Sequence, residues 1–132
     1  MICYRIWMRR ALIALLLLLA ASPLFAASFV KRLVVSSSNG NAWNGPCPHQ
    51  FDFAAEITSR RRGDALIQWI RSDGATGAAT TLRFGGPNQM RRITDRWVVG
   101  RRYKGWVQLR VTDSAGNVSL SRRVSFNNRC GR

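Results

Sequence analysis

The sequence predicts an all-β fold: a single antiparallel β-sandwich of about seven strands behind a cleaved leader. Three observations carry this. Beyond the first 27 residues, apolar and polar residues alternate in short runs, the period of a strand with one buried face. Clusters of Gly, Asn, Asp, Ser and Pro separate those runs, and no convincing helical pattern intervenes. Two cysteines, Cys47 and Cys130, remain after the leader, an even pair suited to an oxidising compartment.

The leader comes first in the chain. Met1–Arg10 carries Arg5, Arg9 and Arg10 and no acid, Ala11–Ala21 is unbroken apolar sequence, and Pro23 is followed by Leu24, Phe25, Ala26 and Ala27. A charged head, an apolar centre and a small-residue cut site make a secretory signal peptide. Residues 1–26 are therefore assigned as the signal peptide and 27–132 as the sandwich domain, with cleavage after Ala27 as the alternative. A membrane anchor needs about 20 apolar residues, and Pro23 ends this run early. The product is expected to be secreted or periplasmic.

The strands follow in order. Phe29–Ser36 holds Val30, Leu33, Val34 and Val35. Gln50–Thr58 has Phe51, Phe53, Ala55 and Ile57 on one face and Asp52, Glu56 and Thr58 on the other. Ala65–Arg71 aligns Ala65, Ile67 and Trp69. Thr80, Leu82 and Phe84 mark a fourth strand. Met90–Val99 places Ile93, Trp97 and Val99 in phase. Gly105–Thr112 points Val107, Leu109 and Val111 inward and Trp106, Gln108 and Arg110 outward. Val118–Phe126 puts Val118, Leu120, Val124 and Phe126 in one register, which Arg122 breaks, the sign of a bulge or an edge.

Certain segments carry a resemblance: Gly45-Pro46-Cys47-Pro48, Phe51-Asp52-Phe53, Gln68 to Gly74, and Gly105 to Val111. With one cysteine before a strand and another near the C-terminus, they resemble secreted bacterial immunoglobulin-like or fibronectin-III-like domains. Val111 to Ser119 is similar to the last hairpin of many such modules. The resemblance covers about Phe29–Cys130 and implies a seven-stranded sandwich, with no one function attached. In antibody-type domains the disulfide joins two central strands behind a core tryptophan. Here Trp69 fits that tryptophan, but Cys130 follows the last strand. A Cys47–Cys130 bond is expected to clamp the chain end to the base of the second strand.

Charge is the other strong signal. Of 21 basic residues, removing Arg5, Arg9 and Arg10 leaves 18 against six acids, a net +12. Only Lys31 and Lys104 are lysines. Such a surface attracts lipopolysaccharide, acidic glycan or nucleic acid, although generic basicity also keeps a protein soluble. The candidate contacts are Arg60, Arg61, Arg62, Arg91, Arg92, Arg101, Arg102, Lys104, Trp106, Arg122 and Arg123. Trp106, out of phase with Val107 and Leu109, is either exposed or covers the second face. Trp97 belongs to the core, and Trp43 is a further candidate contact.

Catalysis is not expected. His49 is the only histidine, and no nucleophile-elbow pattern accompanies it. Asp52 and Glu56 lie about 13 Å apart along one strand, too far for paired-carboxylate glycoside cleavage. No metal or cofactor is expected, since two distant thiols and one imidazole do not make a zinc set. Arg62-Gly63-Asp64, in a turn, spells an integrin-ligand tripeptide, and Asn117-Val118-Ser119 is a glycosylation sequon. The expected function is a non-catalytic binding or structural module of the cell envelope. Its partner would be a protein or an anionic envelope polymer, with nucleic acid not favoured and a polyanion binder as the alternative. Intact mass of the exported product should show a chain beginning at Ala27 or Ser28; a product still carrying Met1–Arg10 would overturn the leader assignment.

Overall fold

Alternation in the sequence becomes two facing layers. The computed structural model describes residues 28–131, so the leader lies outside the described residues. It contains β1 (Val30–Ser37), β2 (Ala42–Trp43), β3 (His49–Ser59), β4 (Gly63–Arg71), β5 (Thr80–Phe84), β6 (Met90–Val99), β7 (Tyr103–Asp113), β8 (Val118–Leu120) and β9 (Val124–Asn128). One sheet has the order β1-β3-β6, the other β2-β9-β7-β4-β5, with β8 also on β7. No helix among the described residues is long and apolar enough to cross a membrane.

The core is the in-phase apolar set of the two longest strands. Phe51, Phe53, Ala55 and Ile57 of β3 face Val107, Leu109 and Val111 of β7, and all seven are fully buried. Ala65, Ile67 and Trp69 of β4, Leu82 and Phe84 of β5, Trp97 and Val99 of β6 and Phe29 join them. Burying each large side chain contributes roughly 1.5–3 kcal/mol. Phe126 of β9 stands at the centre. Its ring centroid lies 4.6 Å from that of Phe51, 5.0 Å from Trp97 and 6.1 Å from Tyr103. Gly105, opposite Phe126 in the ladder, makes room for this ring. A Cβ there would sit 2.5 Å from Tyr103, 2.7 Å from the Ser72 hydroxyl and 2.8 Å from Phe126.

Two departures from the sequence reading concern the ends of the second sheet. The expected seventh strand is two strands. Leu120 faces Arg110 and Val124 faces Val107, so four steps on one strand answer three on the other. This is a one-residue bulge, and it inverts the faces. Val124 and Phe126 point inward, whereas Val118 and Leu120 point out and are exposed, contrary to the single register expected. Ser121 fills the bulge. Its hydroxyl accepts from the Leu109 N–H at 2.9 Å, and its own N–H donates to the Leu109 carbonyl at 3.0 Å.

The second departure is β2, which reads as loop in the sequence. It runs parallel to β9, with Asn127 N–H donating to Asn41 O and Arg129 N–H to Trp43 O, both at 2.8 Å. Beyond it the Cys47–Cys130 disulfide forms as expected, with Cα atoms 4.9 Å apart across 83 positions. Closing a loop that long restricts the unfolded chain by about 4–5 kcal/mol in the entropy model. The adjoining Cys47–Pro48 bond is cis.

Because three neighbours occupy the space a methyl group would need, Gly105→Ala is expected to lower stability by about 1–3 kcal/mol through overpacking. Urea unfolding of the variant and the parent measures this. An unchanged midpoint would show that Phe126 does not depend on the gap.

Candidate binding surface

The fold divides the expected cationic residues between its two ends. Arg60, Arg61 and Arg62 follow the Ser59 end of β3, and Arg91 and Arg92 pair with that same end through Ile57 and Glu56. Arg101, Arg102 and Lys104 lie at the opposite end, where His49 pairs with Val99. The eleven residues of β3 separate the Arg60–Arg62 turn from the second group, about 35 Å of extended chain. The candidate contacts therefore do not make one face. Much of the first group is engaged in the fold: Arg92 pairs with Glu56 at 3.5 Å, Arg91 donates to the Arg83 carbonyl at 2.9 Å, and Arg61 lies over the Phe29 ring at 5.4 Å.

The second group is joined by residues of β9. Register places Lys104 opposite Asn127 and Trp106 opposite Ser125, all on the outer face of the sheet. With Asn41 and Ala42 they line an open depression of about 560 Å³, floored by Gly105 and Phe126. A neighbouring depression of about 370 Å³ adds Arg102, Tyr103, Asn128 and Arg129 and shares Lys104 and Asn127 with the first. Arg123 reaches over from the bulge, its guanidinium 3.9 Å above the Trp106 ring. Cation–π contact of this kind tethers the guanidinium to the indole. The Asn127 amide, turned with its oxygen toward Arg129, accepts from that guanidinium at 3.0 and 3.3 Å. Arg122 is exposed beside Arg123 in the bulge.

Asn41, Ser125, Asn127 and Arg129 were not singled out in the sequence. For Asn127 and Arg129 the one signal is adjacency to Cys130, whose bond to Cys47 fixes them in space; Asn41 and Ser125 carry none. Asn128 is itself buried, its amide donating to the Arg101 carbonyl at 2.8 Å and fixing the β6–β7 turn.

The chain's six carboxylates all serve the fold. Asp52 pairs with Arg96 at 3.8 Å, Glu56 with Arg92 at 3.5 Å and Asp64 with Arg83 at 3.4 Å. Asp95 meets Arg71 at 3.4 Å, and Arg71 also donates to the Arg96 carbonyl at 2.9 Å and lies 4.9 Å from the Trp97 ring centroid. That half-buried pair, unforeseen from sequence, links the two sheets. Asp73 accepts from the Ala75 N–H within its turn. Burial pushes the Asp113 carboxyl up, but hydrogen bonds from Asn117 and Ala115 and the charge of Arg61 outweigh it and hold the group below its ordinary value. Arg62-Gly63-Asp64 is not a free turn tip, since Gly63 opens β4 and Asp64 is paired. The Asn117 side-chain nitrogen donates to Asp113 at 3.3 Å.

His49 is stacked on Trp43 with centroids 4.1 Å apart and 9° between planes, and its edge meets Phe51. Trp43 in turn folds against Gly45 and donates from Nε1 to the Pro46 carbonyl at 3.0 Å. The imidazole is thus a rung between surface and core.

No family model and no curated protein matches this sequence. Solved structures are similar in fold. The PKD domain of an M14-like peptidase from a Thermoplasmatales archaeon superposes with a TM-score of 0.59 at 10% identity, over 78% of this chain and 98% of that one. The CARDB domain of a Pyrococcus furiosus protein, solved in complex with di-metal ions, gives 0.59 at 11% identity, over 81% and 100%. Both are Ig-like β-sandwiches, and at these identities the likeness concerns the fold alone. Among the described residues no three His, Cys, Asp or Glu side chains gather as a metal-binding group.

The depressed Asp113 sets a pH dependence. Its contribution to stability is complete above the ordinary carboxylate range and is lost as pH falls through the lower folded-state value. Asp113→Asn is expected to be less stable at neutral pH and to lose less between about pH 5 and about pH 2. Thermal unfolding across that range measures it; parallel pH profiles would remove Asp113 as the source.

Proposed function

We propose that the protein is a secreted, non-catalytic Ig-like binding module of the cell envelope. One observation carries this reading: every carboxylate and the single histidine have structural duties, while cations and amides at one end line open depressions. Acid–base chemistry needs a titrating group directed at a substrate, and here those groups face arginines, backbone N–H donors or aromatic rings. The leader and the disulfide support export. The fold supports a module role in that it serves as one domain of a peptidase in the archaeal neighbour, although a shared fold leaves function to the site.

A second reading, a polyanion binder, is favoured by Lys104, Arg102 and Arg129 lining the depressions at one end, with the Trp106-held Arg123 further along the same face. The group at the other end, in which Arg61, Arg91 and Arg92 are engaged by the fold and Arg60 and Arg62 are exposed, becomes a solubilising surface.

In bacterial cells expressing the full chain, the product should leave the cytoplasm, and the purified oxidised protein should co-sediment with the envelope fraction at physiological salt. His49→Ala should leave co-sedimentation intact. Cytoplasmic retention, or a substrate turnover that His49→Ala abolishes, would overturn the reading.

A further inference from the structure

We infer that the trough between β2, β9 and β7 binds an anionic glycan, a sugar chain bearing carboxylate or sulfate groups; this rests on the binding-module reading above. The argument begins with Arg123. With its guanidinium carbon 3.9 Å from the Trp106 ring centroid, the group is held over the indole, and a guanidinium held there can grip an oxyanion in pairs. Lys104 stands on the same face two residues from Trp106 along β7, roughly 7 Å from it along the backbone. Arg129, oriented by Asn127, extends the line of charge into the second depression.

Between these cations lie neutral hydrogen-bonding groups, the side chains of Asn41, Ser125 and Asn127. Fixed cations alternating with amides and a hydroxyl complement a chain in which anionic groups alternate with sugar hydroxyls. Two adjoining open depressions suit a polymer that runs across them better than an enclosed small molecule. Nucleic acid fits less well. Single-strand binding relies on free aromatic platforms for the bases, whereas Trp106 gives a face to Arg123 and Trp43 gives one to His49.

The test titrates the disulfide-bonded protein, at physiological salt, with heparin as a sulfated chain, polygalacturonate as a carboxylated chain, dextran as a neutral chain, and single-stranded DNA. One of the two anionic glycans should bind and dextran should not; which one binds separates sulfate from carboxylate recognition. Lys104→Ala with Arg123→Ala should weaken that binding by roughly tenfold or more, as expected for lost charge-assisted contacts. Arg60→Ala with Arg62→Ala removes the same charge from the far end and should weaken it by less than about threefold, the residual long-range field. Trp106→Phe should retain most of the affinity, and the exposed Arg123→Ala alone keeps the test independent of folding effects at Trp106. Equal losses in the two double variants, or DNA binding tighter than either glycan, would overturn the inference. Absence of glycan binding in a protein that still co-sediments with envelopes would overturn it too, and would leave the module reading standing. Absence of both would remove the two together.

Discussion

The Phe126 ring occupies the space that a side chain at position 105 would need, and this one exchange fixes where β9 lies on β7. Phe126 touches aromatic residues of β3, β6 and β7, so both sheets meet through it. The position of β9 in turn decides where β2 adds and where Cys130 can reach Cys47. Gly105 and Phe126 are also the floor of the first depression. The candidate surface therefore stands on a closely packed part of the core, and its cations inherit that rigidity through Lys104, Trp106 and Asn127. A site built on strands keeps its geometry better than one carried on loops.

Much of the sandwich is legible in the chain because burial on one face leaves a period of two. Val107 to Val111 alternates without interruption, Phe51 to Ile57 and Ala65 to Trp69 do so apart from Ala54 and Leu66, and the in-phase residues of each set are buried as read. What escapes the reading is whatever the period cannot express. β2 is two residues long, too short for any pattern, and exists because β9 offers it an edge. The bulge at Ser121 leaves Val118 and Leu120 formally in phase with Phe126 yet on the other side of the sheet. Arg71 and Asp95 carry no local sign of their pairing, since it depends on how one sheet lies over the other.

The candidate site shows the same boundary. Arginine-rich turns are visible in the sequence, but the end of the sandwich at which each turn falls is a property of topology. The β3–β4 and β6–β7 turns both look basic and lie at opposite ends. Lys104 and Trp106 were foreseen, whereas their partners on β9 and β2 became neighbours only through pairing. Electrostatics sharpen the division. Four of the six acids pair with strand arginines, and the cations without a carboxylate include those of the turns, the bulge and the segment before Cys130, together with Lys104 on β7.

The disulfide also determines how the domain would carry load. A pull between residue 28 and residue 131 travels through β1 and β2 to Cys47, crosses to Cys130, and leaves by the C-terminal residues. The 83-position loop between the two cysteines, which holds β3 to β9, lies outside that path. Tension can peel β1 and β2, but it cannot extend the remaining strands while the covalent link stands. Strung between two attachments, the domain would lengthen only by the segment before Cys47, and the trough residues of β7 and β9 would keep their spacing under strain.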